Sequence, residues 1–189
     1  MQGNHSATTA ILTDARAQFI EIENRLGARC SRSWGYILKM QNNYSEASTT
    51  LTDARDQCIR IGNRVDAAQC SHSLGNILRA QCNYSEATAI LTNARAQFFE
   101  IGNHLGVTQC SQSLGDIIRS QGNYSEATTI LTEARAKFIE IGDRAGAAEC
   151  SESLGNILFR QRNYNEAEKH LTHTRDQCID IGRDMCRAA

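Results

Sequence analysis

The chain has 189 residues, 20 basic against 21 acidic side chains, a formal net charge of −1 and no proline. Charge this balanced excludes a chain drawn to nucleic acid or to an anionic membrane by its overall field. No apolar run approaches the ~20 residues of a spanning helix, and Met1–Ala7 shows no basic region leading into an apolar stretch. Neither a transmembrane helix nor a signal peptide is expected, and the expected location is cytoplasmic.

The first expected element is a helix over residues 4–22, with Ile11, Leu12, Phe19, Ile20 and Ile22 on it. From there the chain repeats itself. Asn-Tyr-Ser-Glu-Ala begins at Asn43, Asn83 and Asn123, and returns as Asn-Tyr-Asn-Glu-Ala at Asn163. Cys-Ser-x-Ser-Leu-Gly begins at Cys70, Cys110 and Cys150, preceded by Cys30-Ser-Arg-Ser-Trp-Gly. The spacing is 40 residues, and one residue is missing between Gly27 and Cys30. A fixed period of this size marks a solenoid, whose units pack on their neighbours.

One unit, Asn63–Gly102, shows how each is built. Ala67, Cys70, Leu74, Ile77 and Leu78 fall at steps of three and four, giving a short amphipathic helix. Tyr84, Ala87, Leu91, Ala94, Phe98 and Ile101 give a second, longer helix of about 18 residues. Asn83 is its expected N-cap, with Glu86 completing a capping box. Gly62, Gly102, Gly142 and Gly182 each follow an Ile, and are expected as left-handed C-caps. The units are expected at about 24–62, 63–102, 103–142 and 143–182, with a partial unit at 1–23 and a tail at 183–189. Together they form one all-α domain over 1–189, with about nine helices and both ends resembling those of a longer array.

These residues resemble the tetratricopeptide repeat. Leu74-Gly75-x-x-Leu78 followed by Tyr84, Ala87, Leu91 and Ala94 matches that pattern, and it recurs at Leu114-Gly115 with Ala127, Leu131 and Ala134, and at Leu154-Gly155 with Ala167 and Leu171. The resemblance implies a right-handed α-solenoid of helix-turn-helix repeats rather than a HEAT or armadillo array. The 40-residue form resembles the arrays of Pins-type scaffolds and those attached to NACHT or NB-ARC nucleotide-binding proteins. Gly75 and Ala87 are small where paired helices approach closely.

Cysteine usage argues for packing rather than bridging. Cys30, Cys70, Cys110 and Cys150 share one slot, and equivalent positions on helices ~8–10 Å apart are too distant for a disulfide. Cys58 and Cys178 occupy the slot of Phe19, Phe98 and Phe138, so all of these are expected in the core; Cys82 and Cys186 are expected exposed. Reduced thiols, no metal and no cofactor are expected. The Asn-x-Ser triplets at Asn4, Asn43, Asn83 and Asn123 read as helix caps rather than glycosylation sites. His170 and His173 share a face but lack a third ligand, and read as solvated. Arg16, Arg55, Arg95, Arg135 and Arg175 recur in every second helix and read as a structural ladder.

The functional face follows from the resemblance, which implies a concave groove lined by the first helix of each pair. The residue after Gly is Tyr36, Asn76, Asp116 and Asn156; in the family an Asn there bonds a peptide backbone. Three positions on stand Lys39, Arg79, Arg119 and Phe159, and one turn earlier Arg32, His72, Gln112 and Glu152, preceded by Arg29, Gln69, Gln109 and Glu149. The face is basic toward its N-terminal end and acidic toward its C-terminal end. The expected function is a non-enzymatic scaffold that holds a protein or peptide, acidic in character, with Arg29, Arg32, Lys39, Arg79 and Arg119 taking its carboxylates. The alternative is the sensor segment of a larger nucleotide-binding signalling protein. Apolar surface left at the open ends leads us to expect self-association as well.

Overall fold

The computed structural model describes residues 26–27, 29–39, 41–172, 174–175 and 179, and every described regular element is helical. The helix expected at 4–22, the exposed apolar ends, Cys178 and Cys186 lie outside the described residues. Helix α1 covers 29–39 and is followed by α2 (Tyr44–Arg60), α3 (Arg64–Ala80), α4 (Tyr84–Glu100), α5 (His104–Ser120), α6 (Tyr124–Ile141) and α7 (Arg144–Arg160). A last helix, α8, begins at 164 and is described through 172. The chain divides into two compact units between Gln81 and Cys82. The first holds α1–α3 and the second α4–α8.

The expected alternation of short and long helices is corrected by the structure. Helices α3, α5 and α7 have 17 residues, as do α2 and α4, and α6 has 18. The buried stripe of α3 begins only at Ala67, because in the first turn Arg64 and Asp66 are charged and Val65 is exposed. That turn is helical because the Asn63 side chain accepts the Asp66 backbone N–H at 3.2 Å. Asn103, Asn123 and Asp143 cap α5, α6 and α7 in the same way. At Asn43 and Asn83 the side chain instead donates to Glu46 and Glu86, at 2.6 and 2.7 Å, with no side-chain bond to the backbone. The polar pair forms there, but the capping bond does not.

Helix ends show why the period holds. After α4 the Gly102 N–H reaches Phe99 O at 3.1 Å and the Asn103 N–H reaches Phe98 O at 2.9 Å. With Gly102 at φ +71 this is a Schellman turn, and Gly62 and Gly142 repeat it. The turn inside each pair is also left-handed, at Asn42, Cys82, Gly122 and Arg162 with φ between 59 and 85. Only Gly122 signals this in the sequence; elsewhere side chains bear a strain of about 1 kcal/mol.

In the second unit α5 packs on α4 and α6, and α7 packs on α6 and reaches α5. Ala127, Leu131, Ala134 and Phe138 of α6 bury themselves against Cys150, Leu154 and Ile157 of α7. Two approaches leave no room for a side chain. A Cβ on Gly115 would lie 2.9 Å from Leu131 Cγ, and a Cβ on Gly106 would lie 2.4 Å from the Phe98 ring. In the first unit α2 packs on α3, and Gly35 meets Leu51 as Gly115 meets Leu131.

Gly106→Ala is therefore expected to cost about 1–3 kcal/mol in urea denaturation, because the Phe98 ring is fully buried and cannot retreat. Phe98→Leu added to it should recover part of that loss, giving a coupling a double-mutant cycle measures. Cys82→Gly, which removes the left-handed strain, should raise stability by about 1 kcal/mol in the same assay.

Candidate peptide-binding face

In the first unit the expected face is carried by α1 and α3. Arg29 and Tyr36 are exposed on α1. The Lys39 ammonium stands 6.0 Å from the centre of the Tyr36 ring. Arg32 is half-buried and spends its charge inside the chain: Nη1 lies 3.1 Å from Asp66 Oδ1 on α3. On α3, Gln69, His72 and Asn76 form one row, with Gln69 Nε2 3.4 Å from His72 Nδ1 and Asn76 Nδ2 3.1 Å from His72 Nε2. A neutral imidazole donates from one nitrogen and accepts at the other, so one amide turns its oxygen to the ring. Arg79 is half-buried next along α3, and its Nε is buried without a hydrogen-bond partner among the described residues.

In the second unit the face is carried by α5 and α7, and much of it is engaged with itself. Gln112 Nε2 donates to Glu149 at 2.9 Å across the two helices. Asp116 is buried, receives the Ser153 hydroxyl of α7 at 2.7 Å and pairs with Arg119 Nε at 3.3 Å. Gln109 and Asn156 are half-buried, while Glu152 and Phe159 are exposed. The Phe159 ring meets Tyr164 edge-on at 5.6 Å.

Sequence reasoning missed the partners in these ties. Ser153 is the second Ser of Cys-Ser-x-Ser, a slot read only as repeat framework. Asp66 lies in the first turn of α3, ahead of the buried apolar stripe. Asp116 was expected to face a ligand, whereas burial and two hydrogen bonds make it a link between α5 and α7.

The arginine ladder is mixed. Arg135 Nε donates to Ser151 Oγ at 2.7 Å and so joins α6 to α7. Arg55 turns instead to Asp56 on its own helix. Arg95 borders a cleft of about 710 Å³ between α4 and α6, lined also by Phe99, Val107, Ile130, Lys137 and Ile141. That cleft is reached from a different side of α5 than Gln109, Gln112 and Asp116.

The thiols follow the expected division with one exception. Cys58, Cys70, Cys110 and Cys150 are buried and Cys82 is exposed, all as free thiols. Cys30 is exposed, contrary to its slot. Burial pushes the thiols of Cys70, Cys110 and Cys150 up to about 12, and raises Cys58 as well. Among the described residues no group of three or more His, Cys, Asp or Glu side chains is placed to hold a metal ion. No described helix is long and apolar enough to cross a membrane.

The sequence model of the tetratricopeptide repeat matches residues 107–180. No curated protein sequence matches the chain. Among solved structures, the chain is similar to the Rap conjugation gene regulator of plasmid pLS20 in complex with the Phr* peptide. The TM-score is 0.70 at 16% identity, over 75% of this chain and 40% of that one. A Rap protein complexed with competence and sporulation factor gives 0.72 at 16% identity, over 87% and 45%. A Podosopora anserina chain of nearly identical TPR-like repeats gives 0.54 at 13% identity, over 82% and 77%. This chain thus spans less than half the length of the two Rap structures. At these identities the likeness is one of fold. Repeat period, hairpin packing and matching family model agree: the chain is a tetratricopeptide-like repeat array of the α-solenoid class.

Two outcomes follow. Iodoacetamide at pH 8 should modify Cys30 and Cys82 of the native protein rapidly, and buried Cys58, Cys70, Cys110 and Cys150 far more slowly until the protein is denatured. A thiol whose folded pKa stands above its ordinary 9.0 stabilises the fold fully below that pH and loses the contribution as pH rises toward 12. Cys110→Val should therefore flatten the fall in stability between those limits, as alkaline urea titrations would show. Separately, Ser153→Ala removes one donor from buried Asp116 and should cost about 1–3 kcal/mol by thermal melting.

Proposed function

We propose that the chain is a non-enzymatic interaction module that binds a peptide or protein on the face of α1 and α3, and on that of α5 and α7. The observation that carries this reading is the character of those faces. In each unit the two helices present polar side chains, and their mutual bonds hold them in fixed positions: Arg32 to Asp66, Gln112 to Glu149 and Ser153 to Asp116. A preorganised polar face loses little side-chain freedom on binding. Arg29, Tyr36, Gln69, Asn76, Gln109 and Asn156 retain exposed or half-exposed positions there. The likeness to a Rap structure in complex with the Phr* peptide supports the same reading.

The ligand is acidic in this reading. Helix α1 presents Arg29, Arg32 and Lys39 with no acidic residue between 29 and 39, and α3 adds Arg79. Of these, Arg29 makes the most available contact, since Arg32 is already paired with Asp66. A second reading, that the chain serves as the sensor segment of a larger nucleotide-binding protein, rests on its spanning only 40–45% of the Rap chains it matches. The flanking coding sequence separates the two.

The test begins with a pull-down on the chain and peptide mapping of what it retains, followed by calorimetric titration of the mapped peptide. Arg29→Glu is expected to weaken binding about tenfold at low salt, the wild-type affinity to fall as salt rises, and Lys169→Glu on α8 to change nothing. A peptide whose affinity ignores both Arg29→Glu and Tyr36→Ala does not bind this face.

A further inference from the structure

The first unit breaks the repeat at two coupled positions. In the second unit Phe98 lies on Gly106 and Phe138 on Gly146, so closely that an added Cβ would stand 2.4 and 2.7 Å from the rings. Forty residues earlier the same two slots hold Cys58 and Asp66. The smaller side chain at 58 leaves room for one at 66. Asp66 fills it and bonds Arg32 at 3.1 Å and Asn63 Nδ2 at 2.7 Å.

This exchange also puts two thiols together. Cys70 belongs to the slot that is Cys in every unit, and the residue twelve positions before it is Cys58; before Cys110 and Cys150 that residue is Phe98 and Phe138. Helices α2 and α3 are packed on each other, and Cys58 is in the same buried cluster as Ala67, one turn before Cys70. Both thiols are 0% exposed, and they are near enough for each to shift the titration of the other. In the reduced protein the pair is a piece of core. Two buried thiols on packed helices are also the reactants of a disulfide.

We propose that Cys58 and Cys70 are an oxidisable pair whose disulfide staples α2 to α3. A small-molecule disulfide such as oxidised glutathione supplies the oxidant. One cysteine thiolate attacks it and forms a mixed disulfide, releasing one glutathione thiolate. The second cysteine thiolate attacks the mixed disulfide at the protein sulfur, closing Cys58–Cys70 and releasing the other. Two electrons pass to glutathione, and the two thiol protons are taken up by the departing thiolates or solvent. Burial keeps both groups protonated in the closed hairpin, so the reaction proceeds when α2 and α3 part. Once formed, the bridge is shielded from reductants by the same packing. It closes a short loop and prevents the two helices from separating, which holds the Arg32–Asp66 contact in place.

The experiment uses the full chain. It is incubated with oxidised glutathione at pH 8, alkylated, digested with trypsin without reduction, and mapped by mass spectrometry. Expected is a linked pair of peptides, 56–60 to 65–79, that disappears on reduction and is absent from Cys58→Ser. The oxidised wild type should melt several degrees higher than the reduced form, with no such shift in Cys58→Ser. Recovery of Cys58 and Cys70 as alkylated residues, while Cys30 and Cys82 carry glutathione, overturns the proposal. So does Cys58 linked to any cysteine other than Cys70.

Discussion

The hairpins of this chain depend on a contact between a glycine and a leucine. Gly35 meets Leu51, Gly115 meets Leu131 and Gly155 meets Leu171, each so closely that a Cβ would fall 2.7–2.9 Å from a leucine carbon. Helices that approach this closely exclude water along their whole length, and the burial of Leu51 and Leu131 is the direct result. Ala47, Ala127 and Ala167, a turn before these leucines, are buried as well and keep the approach uniform. The turns are subordinate to this packing. It holds Asn42 and Arg162 in left-handed conformations that such residues avoid in isolation.

With the apolar side of each helix committed to its partners, the polar sides decide what remains for a ligand. The division is unequal between the two units. On α5 and α7 the strongest groups face one another: Asp116 is buried with Ser153 and Arg119, and Gln112 holds Glu149. That face offers half-buried amides, the exposed carboxylate of Glu152 and an aromatic pair, but no exposed arginine like Arg29. On α1 and α3 Arg32 is engaged with Asp66, and the row of Gln69, His72 and Asn76 is linked along one helix. The first unit is thus the more electropositive face and the second the more rigid one.

Much of this was legible in the sequence. The period, the pairing of helices, the left-handed glycines at 62, 102 and 142, and the buried thiols at 70, 110 and 150 all follow from residues recurring at one spacing. What escaped is what does not repeat. Asp116 stands where its counterparts are Tyr36, Asn76 and Asn156, and a side chain that differs from unit to unit has no pattern to reveal its partner. The first turn of α3 lies ahead of the buried stripe, and that hid both its helicity and the role of Asp66. The left-handed residues at 42, 82 and 162 escaped because glycine marks only one turn of that set, at 122. A capping pair such as Asn83 with Glu86 was visible as a pair, but which of its hydrogen bonds forms depends on angles that composition does not record.

The departures from repetition carry more information about this chain than the repetition does. A repeat that tolerates Phe over Gly in two hairpins and Cys over Asp in another is constrained in the sum of the two volumes rather than in either residue. Phe98 with Gly106 stabilises by burying an aromatic ring. Cys58 with Asp66 gives up that area and gains an ion pair to α1 and a second thiol beside Cys70. An exposed ion pair returns little free energy, and Arg32–Asp66 is only partly shielded, with side chains 30% and 18% exposed. The exchange therefore costs apolar stability that the ion pair does not restore in full. The first unit is expected to be the less stable of the two hairpin types, and the α2–α3 pair to open more readily than α4–α5. Opening of that pair is the step that would admit an oxidant to Cys58 and Cys70, so the same substitution that weakens the hairpin supplies the means of fastening it.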